Sequence, residues 1–272
     1  MSAAAPGPVP TASMATNWWR APIAIWRLSR VVAHILYGLV LVYTVWDAQD
    51  VATRERRTIA WSMRLLNLLG LTVQCQGRPH AGARLVVSNH ISWLDIIVIN
   101  SVMPSRFVSK AEVGQWPVIG RLVTAAGTLF LVRERRRDAM RVLGLMAQAL
   151  RDGQSVAVFP EGTTGAGHEL MHFHANLVQS AIDAPAPIQP VVLSYRDAQH
   201  AVSPSAAYIG DTGLLTSMWM VASAKDLTVS VQILPAETVV HADRRVLTER
   251  LHSEMSQRLS AAIQAAHQAD QT

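Results

Sequence analysis

His90 and Asp95 stand five residues apart in Val86-Val-Ser-Asn-His-Ile-Ser-Trp-Leu-Asp-Ile96, where a strand-like apolar run passes into helical spacing. Ser92-x-x-Asp95 has the form of a capping box, which predicts Ser92 at the N-cap and Asp95 in the first helical turn. His90 then lies in the turn before the helix, where the chain can fold back and let Asp95 accept the imidazole Nδ1 proton. The lone pair of Nε2 would remain to take a proton from an alcohol, a base held by an orienting carboxylate. By spacing alone the same residues could merely cap a helix.

Gly127-Thr-Leu-Phe-Leu-Val-Arg133 reads as a strand ending in an arginine, a side chain able to hold a phosphate through two parallel hydrogen bonds. Arg135, Arg136 and Arg137 follow at the expected start of a helix, where the dipole disfavours positive charge, so an anionic partner is expected. Val158-Phe-Pro-Glu-Gly-Thr-Thr164 is a third strand end. There Gly162 would let backbone approach a ligand, Glu161 and Thr163 would bond it, and amides near Gly162 would face an oxyanion. His168, Glu169, His172 and His174 have no metal-ligand spacing, so no metal is expected.

The elements that must position these residues alternate. β-rich runs fall at 71–76, 85–88, 106–109, 129–132, 155–159, 188–194 and 227–234, with helices at 92–101, 136–152, 174–183, 213–222 and 243–267. This order predicts one α/β domain over residues 71–272, a mainly parallel twisted sheet flanked by helices, with sites at the carboxyl ends of its strands. Residues 1–17 read as a disordered tail and 18–70 as a membrane-anchoring helix pair. The first helix, 19–46, contains the uncharged run 31–46, about 24 Å long as a helix. Trp18, Trp19, Trp26, Trp46 and Trp61 with Arg20, Arg27 and Arg30 suit a headgroup zone. The second, 52–69, is amphipathic, lying at the interface or on the domain.

Charged residues make up only 16% of the 272, despite a net charge of +5, so the chain is not expected to bind nucleic acid; anionic membrane lipids are the better partners. Mean hydropathy is +0.20, high for a soluble domain. The single cysteine, Cys75, alternates with Leu71 and Val73 and is expected in the core.

Taken in order, the stretches resemble the glycerolipid acyltransferase family that includes 1-acyl-sn-glycerol-3-phosphate acyltransferases, over about residues 85–195. Asn89-His90 through Asp95 is similar to its His-x4-Asp block, and Lys110 to Gly120 to the segment that follows. Gly127 to Arg133 matches the second block, with Phe130 and Arg133 at characteristic positions; Phe159 to Thr163 matches the third, and Ile188 to Val192, with Pro190, the fourth. The resemblance implies direct transfer of an acyl group from acyl-CoA or acyl carrier protein, as substrate rather than cofactor, to a lysolipid hydroxyl at the cytoplasmic face of a membrane, with the helix pair seated in one leaflet. His90 and Asp95 would be catalytic, and Arg133, Lys110, Phe130, Glu161, Gly162 and Thr163 would bind substrate. The family's third block continues with arginine where this chain has Thr164. That departure leaves Arg133, with Lys110 as helper, to hold a phosphate, and opens lyso-ornithine lipid as an alternative acceptor. A hydrolase and a non-catalytic lipid-binding protein are the rival classes.

Overall fold

The computed structural model describes residues 18–131, 136–239 and 242–269. Seven strands, β1 (Thr72–Gln76), β2 (Leu85–Ser88), β3 (Arg106–Lys110), β4 (Leu129–Leu131), β5 (Val156–Val158), β6 (Ile188–Arg196) and β7 (Thr228–Ile233), form one sheet in the order β1-β7-β6-β2-β5-β3-β4. Every pairing is parallel except β6 with β7. The carboxyl ends of β2 to β6 therefore share one edge of the sheet, which fits the expected mainly parallel α/β fold.

β2 lies at the centre, and all four of its residues are buried. Val86 enters one hydrophobic cluster while Leu85 and Val87 enter the other, as alternate strand residues must when both faces are covered. The helices are α1 (Ala21–Thr44), α2 (Val51–Leu69), α3 (Leu94–Val102), α4 (Ala111–Gly114), α5 (Ile119–Ala125), α6 (Arg136–Arg151), α7 (Gln179–Asp183), α8 (Leu214–Ser223) and α9 (Arg244–Ala269). Helices α4 and α5 stand in a stretch that showed no helical period, and the helix expected at 174–183 is confined to α7.

α2 begins where the Asp50 carboxylate accepts from Thr53 N at 2.7 Å and ends at Gly70, whose φ of 79° lets its N–H reach the Asn67 and Leu66 carbonyls. A Cβ at Gly70 would also lie 2.1 Å from the Arg27 guanidinium, which would have to move from its place on α8. Leu65, Leu66, Leu68 and Leu69 are all buried in the core. The expected anchoring pair is thus a single apolar helix: α2's stripe is consumed by the domain, and α1 alone among the described helices is long and apolar enough to cross a membrane.

α1 is seated along its length. Ala24, Val31 and Gly38, seven residues apart, form its buried seam. Arg20 Nη2 donates to the Ala224 carbonyl at 3.1 Å, and Arg27 Nη1 to those of Ala222 and Ala224 at 2.9 and 3.1 Å. Two arginines expected among headgroups instead bond the carbonyls at the end of α8, where the dipole favours cations. Trp61 likewise stacks on His34 between α1 and α2. Cys75 is exposed, contrary to expectation: β1 is an edge strand whose cover reaches only Leu71 and Val73.

Candidate active site

The central strand delivers His90. Just past β2, the Asn89 side chain joins the neighbouring strand, Nδ2 donating to Leu193 O at 2.9 Å and Oδ1 accepting from Leu193 N at 2.8 Å. The chain then turns: Gly165 N donates to His90 O at 2.8 Å, and Tyr208 N to Ile91 O at 3.0 Å. α3 starts at Leu94, which carries Asp95 back over the turn.

His90 Nδ1 lies 2.8 Å from Asp95 Oδ2. The same oxygen accepts from Ile91 N at 2.7 Å and Ser92 N at 2.9 Å, while Oδ1 accepts from the Tyr195 hydroxyl at 2.7 Å. Asp95 is wholly buried and His90's side chain 19% exposed. Four donors fix the Asp95 carboxyl group in place. It holds the imidazole as the Nδ1–H tautomer, whose Nε2 lone pair can take a proton. Only half of the expected capping box forms: Asp95 reaches back to Ser92 N, but the buried Ser92 hydroxyl has no partner among the described residues.

The imidazole is stacked on Phe159, with centroids 3.9 Å apart and planes at 8°, and Phe107 backs Phe159 at 5.8 Å. Glu161, from the same strand end as Phe159, is buried. Its Oε1 accepts from His90 N at 2.9 Å and its Oε2 from Met171 N at 3.2 Å. Burial pushes its carboxyl up to about 7, against the two backbone donors that favour the charge. Glu161 was expected to bond a ligand, but both its oxygens hold protein backbone. Burial also raises the Tyr195 phenol well above its ordinary value, and Asp95 adds to the shift, which keeps Tyr195 a donor.

Gly162 adopts a φ of 71°, and its N–H donates to Phe159 O at 3.1 Å, so the turn itself uses the amide expected to face an oxyanion. Thr163 is exposed, and the Thr164 hydroxyl donates to the Tyr208 carbonyl. Lys110 is exposed at the end of β3; Phe130, on β4, is half-buried with its ring against Gly114. With strands about 4.8 Å apart, these two lie roughly 10 and 14 Å along the edge from β2, on the active side but outside contact with the pair. Arg133 lies outside the described residues, as do Val132 of the expected strand, Arg135 of the arginine run and the tail 1–17; Arg137 is exposed. Among the described residues no group of three metal-ligating side chains occurs.

Tyr195 and Asn89 are functional neighbours that the motifs did not assign. The available signal for Tyr195 was a phenol near the end of a buried strand, where a hydroxyl needs a partner.

Fold and site define an α/β protein with an imidazole–carboxylate pair at the carboxyl edge of its sheet. A family model described as Acyltransferase matches residues 72–194. A 1-acyl-sn-glycerol-3-phosphate acyltransferase of Neisseria gonorrhoeae is 38% identical over 205 residues, covering 73% of this chain and 79% of the relative. A lyso-ornithine lipid O-acyltransferase of Pseudomonas aeruginosa is 38% identical over 186 residues, covering 66% and 69%. The chain belongs to this acyltransferase family. The crystal structure of the 1-acyl-sn-glycerophosphate acyltransferase from Thermotoga maritima superposes with a TM-score of 0.70 at 18% identity, covering 90% of this chain and 96% of that one; it shares the fold.

Proposed function

We propose that the protein transfers a fatty acyl group from a thioester, acyl-CoA or acyl carrier protein, to the free hydroxyl of 1-acyl-sn-glycerol-3-phosphate, giving phosphatidic acid at the cytoplasmic face of a membrane. The observation that carries this reading is the His90 Nδ1 to Asp95 Oδ2 bond of 2.8 Å, on a carboxylate fixed by three further donors. His90 Nε2 takes the hydroxyl proton as the oxygen attacks the thioester carbonyl. A C–O bond forms, the C–S bond breaks, and the proton passes from the imidazolium to the departing thiolate. Asp95 offsets the transient positive charge, and no acyl-enzyme is required. The exposed apolar face of α1, including Trp26, Leu36, Val40 and Tyr43, supports seating in one leaflet, since the opposite face is docked on the domain.

A second acceptor, lyso-ornithine lipid, is favoured by Thr164: its hydroxyl is bonded to Tyr208 O and offers no positive charge at that turn. Purified full-length protein given labelled acyl-CoA with either lysolipid should form a diacyl lipid, and His90→Ala should not. Release of free fatty acid alone would point to a hydrolase, and inactivity with both donor types would sink the reading. Whichever lysolipid has the higher kcat/KM names the acceptor.

A further inference from the structure

The segment between β3 and β4 is built unlike its surroundings. α4 and α5 close on each other at Gly120, where a Cβ would stand 2.2 Å from the Gly114 carbonyl oxygen. Between them, residues 115–118 are exposed in a row, Gln-Trp-Pro-Val, with Trp116 at 43% and Val118 at 41%. Val118 has φ 70° and ψ −62°, and Ile119 N donates to Pro117 O at 2.7 Å. That is a γ-turn of the rare positive-φ hand, strained for any L-residue and most of all for a β-branched one. The strained turn leaves over two-fifths of Trp116 and of Val118 in solvent.

The turn leads into α5, and α5 packs against the end of α1. Trp46 Nε1, just past α1, donates to Ala125 O at 3.0 Å, and Arg121 lies over the exposed Tyr43 ring at 5.5 Å. Lys110 and Arg121 flank the turn, against a single acid, Glu112. We propose that residues 115–118 are a second contact with the lipid bilayer, inserting Trp116 and Val118 at headgroup depth while Lys110 and Arg121 meet anionic lipid. Tryptophan and long cations are the side chains that suit this zone. Three apolar side chains fall short of the roughly 800 Å² per partner of a stable protein interface, whereas a bilayer needs only a few inserted groups. The inference rests on α1 as the membrane face, and it gives the membrane two points of hold, one on the helix and one beside the carboxyl ends of β3 and β4.

The test uses full-length protein and vesicles of phosphatidylethanolamine and phosphatidylglycerol. Trp116→Ser with Val118→Gly removes both side chains, and glycine suits the positive φ, so the turn is retained. Vesicle binding should weaken roughly tenfold. Turnover of a short-chain, monomerically dispersed lysolipid should be unchanged. In a Cys75→Ser background, a fluorophore on Val118→Cys should be quenched by lipids brominated near the headgroup. Unchanged binding with an unquenched fluorophore, while the protein still binds vesicles, overturns this inference and leaves the proposed function standing. Failure of the unmodified protein to bind vesicles overturns both the membrane seating and this contact. A vesicle-free dimer that the double substitution dissolves would make the turn a self-interface, and would also overturn the proposal.

Discussion

The molecule contains the same hydrogen-bonding arrangement twice. Asp95 accepts from His90 Nδ1, two backbone amides and the Tyr195 hydroxyl. Just beyond β6, Asp197 accepts from His200 Nδ1 at 2.9 Å, from the amides of Gln199 and His200 at 2.9 and 3.0 Å, and from the Ser203 hydroxyl at 2.5 Å. Donor types and counts agree, and the surroundings differ. The His200 side chain is 49% exposed, with its aspartate at 10%, and the cluster fastens a surface turn in which Asp197 N donates to His200 O. His90 is stacked on Phe159 and held from behind by Glu161, at the shared edge where the parallel strands end. A carboxylate–imidazole contact is therefore not a catalytic signature by itself; burial and placement at the strand ends separate the two.

Substitutions can break or sharpen that contrast. His90→Ala should lower kcat by about 10³-fold or more, the weight of a general base, with the fold intact by circular dichroism. Asp95→Asn should follow, at about 10²- to 10³-fold in kcat, because an amide cannot hold the Nδ1–H tautomer or offset the imidazolium. Tyr195→Phe should reduce kcat about tenfold at unchanged KM. A drop in thermal stability with kcat unchanged would reduce Tyr195 to packing.

Glu161→Gln should act through stability. The folded-state carboxyl titrates near 7, above its ordinary 4.5, so the native state binds the extra proton. Its contribution is fully present below about 4.5 and lost as pH rises through about 7, a difference of roughly 3 kcal/mol. A series of Tm values across that window should be flatter for Glu161→Gln than for the parent. His200→Ala should do least: kcat within about twofold, and stability lower by under about 1 kcal/mol, since the pair is half in solvent. A large fall in activity there would dissolve the contrast between the clusters.

The legible parts of the molecule were those with local cause. Short β-rich runs marked all seven strands, and the turn between His90 and Asp95 allowed the contact that the structure shows. Tyr195 stands one hundred residues from Asp95, and only the adjacency of β2 and β6 joins them; no period in the chain encodes that adjacency. α4 and α5 have four and seven residues, too few to display a helical repeat. Glu161 was recognised as important from its turn, but its partners are backbone amides, which any residue carries. The seat of α1 was hidden for a different reason: arginines beside tryptophans read equally well as headgroup ligands and as caps for a distant helix.

That seat has a consequence for synthesis. The carbonyls of Ala222 and Ala224 that receive Arg27 and Arg20 lie 195 and 204 residues downstream of them. Chains fold from the amino end as they leave the ribosome. α1, the one described helix long and apolar enough to cross a membrane, is therefore made early, while its α8 acceptor is made near the end. For most of translation α1 lacks its α8 seat, and whatever surface takes it up in that interval meets the apolar side that the finished molecule still leaves uncovered.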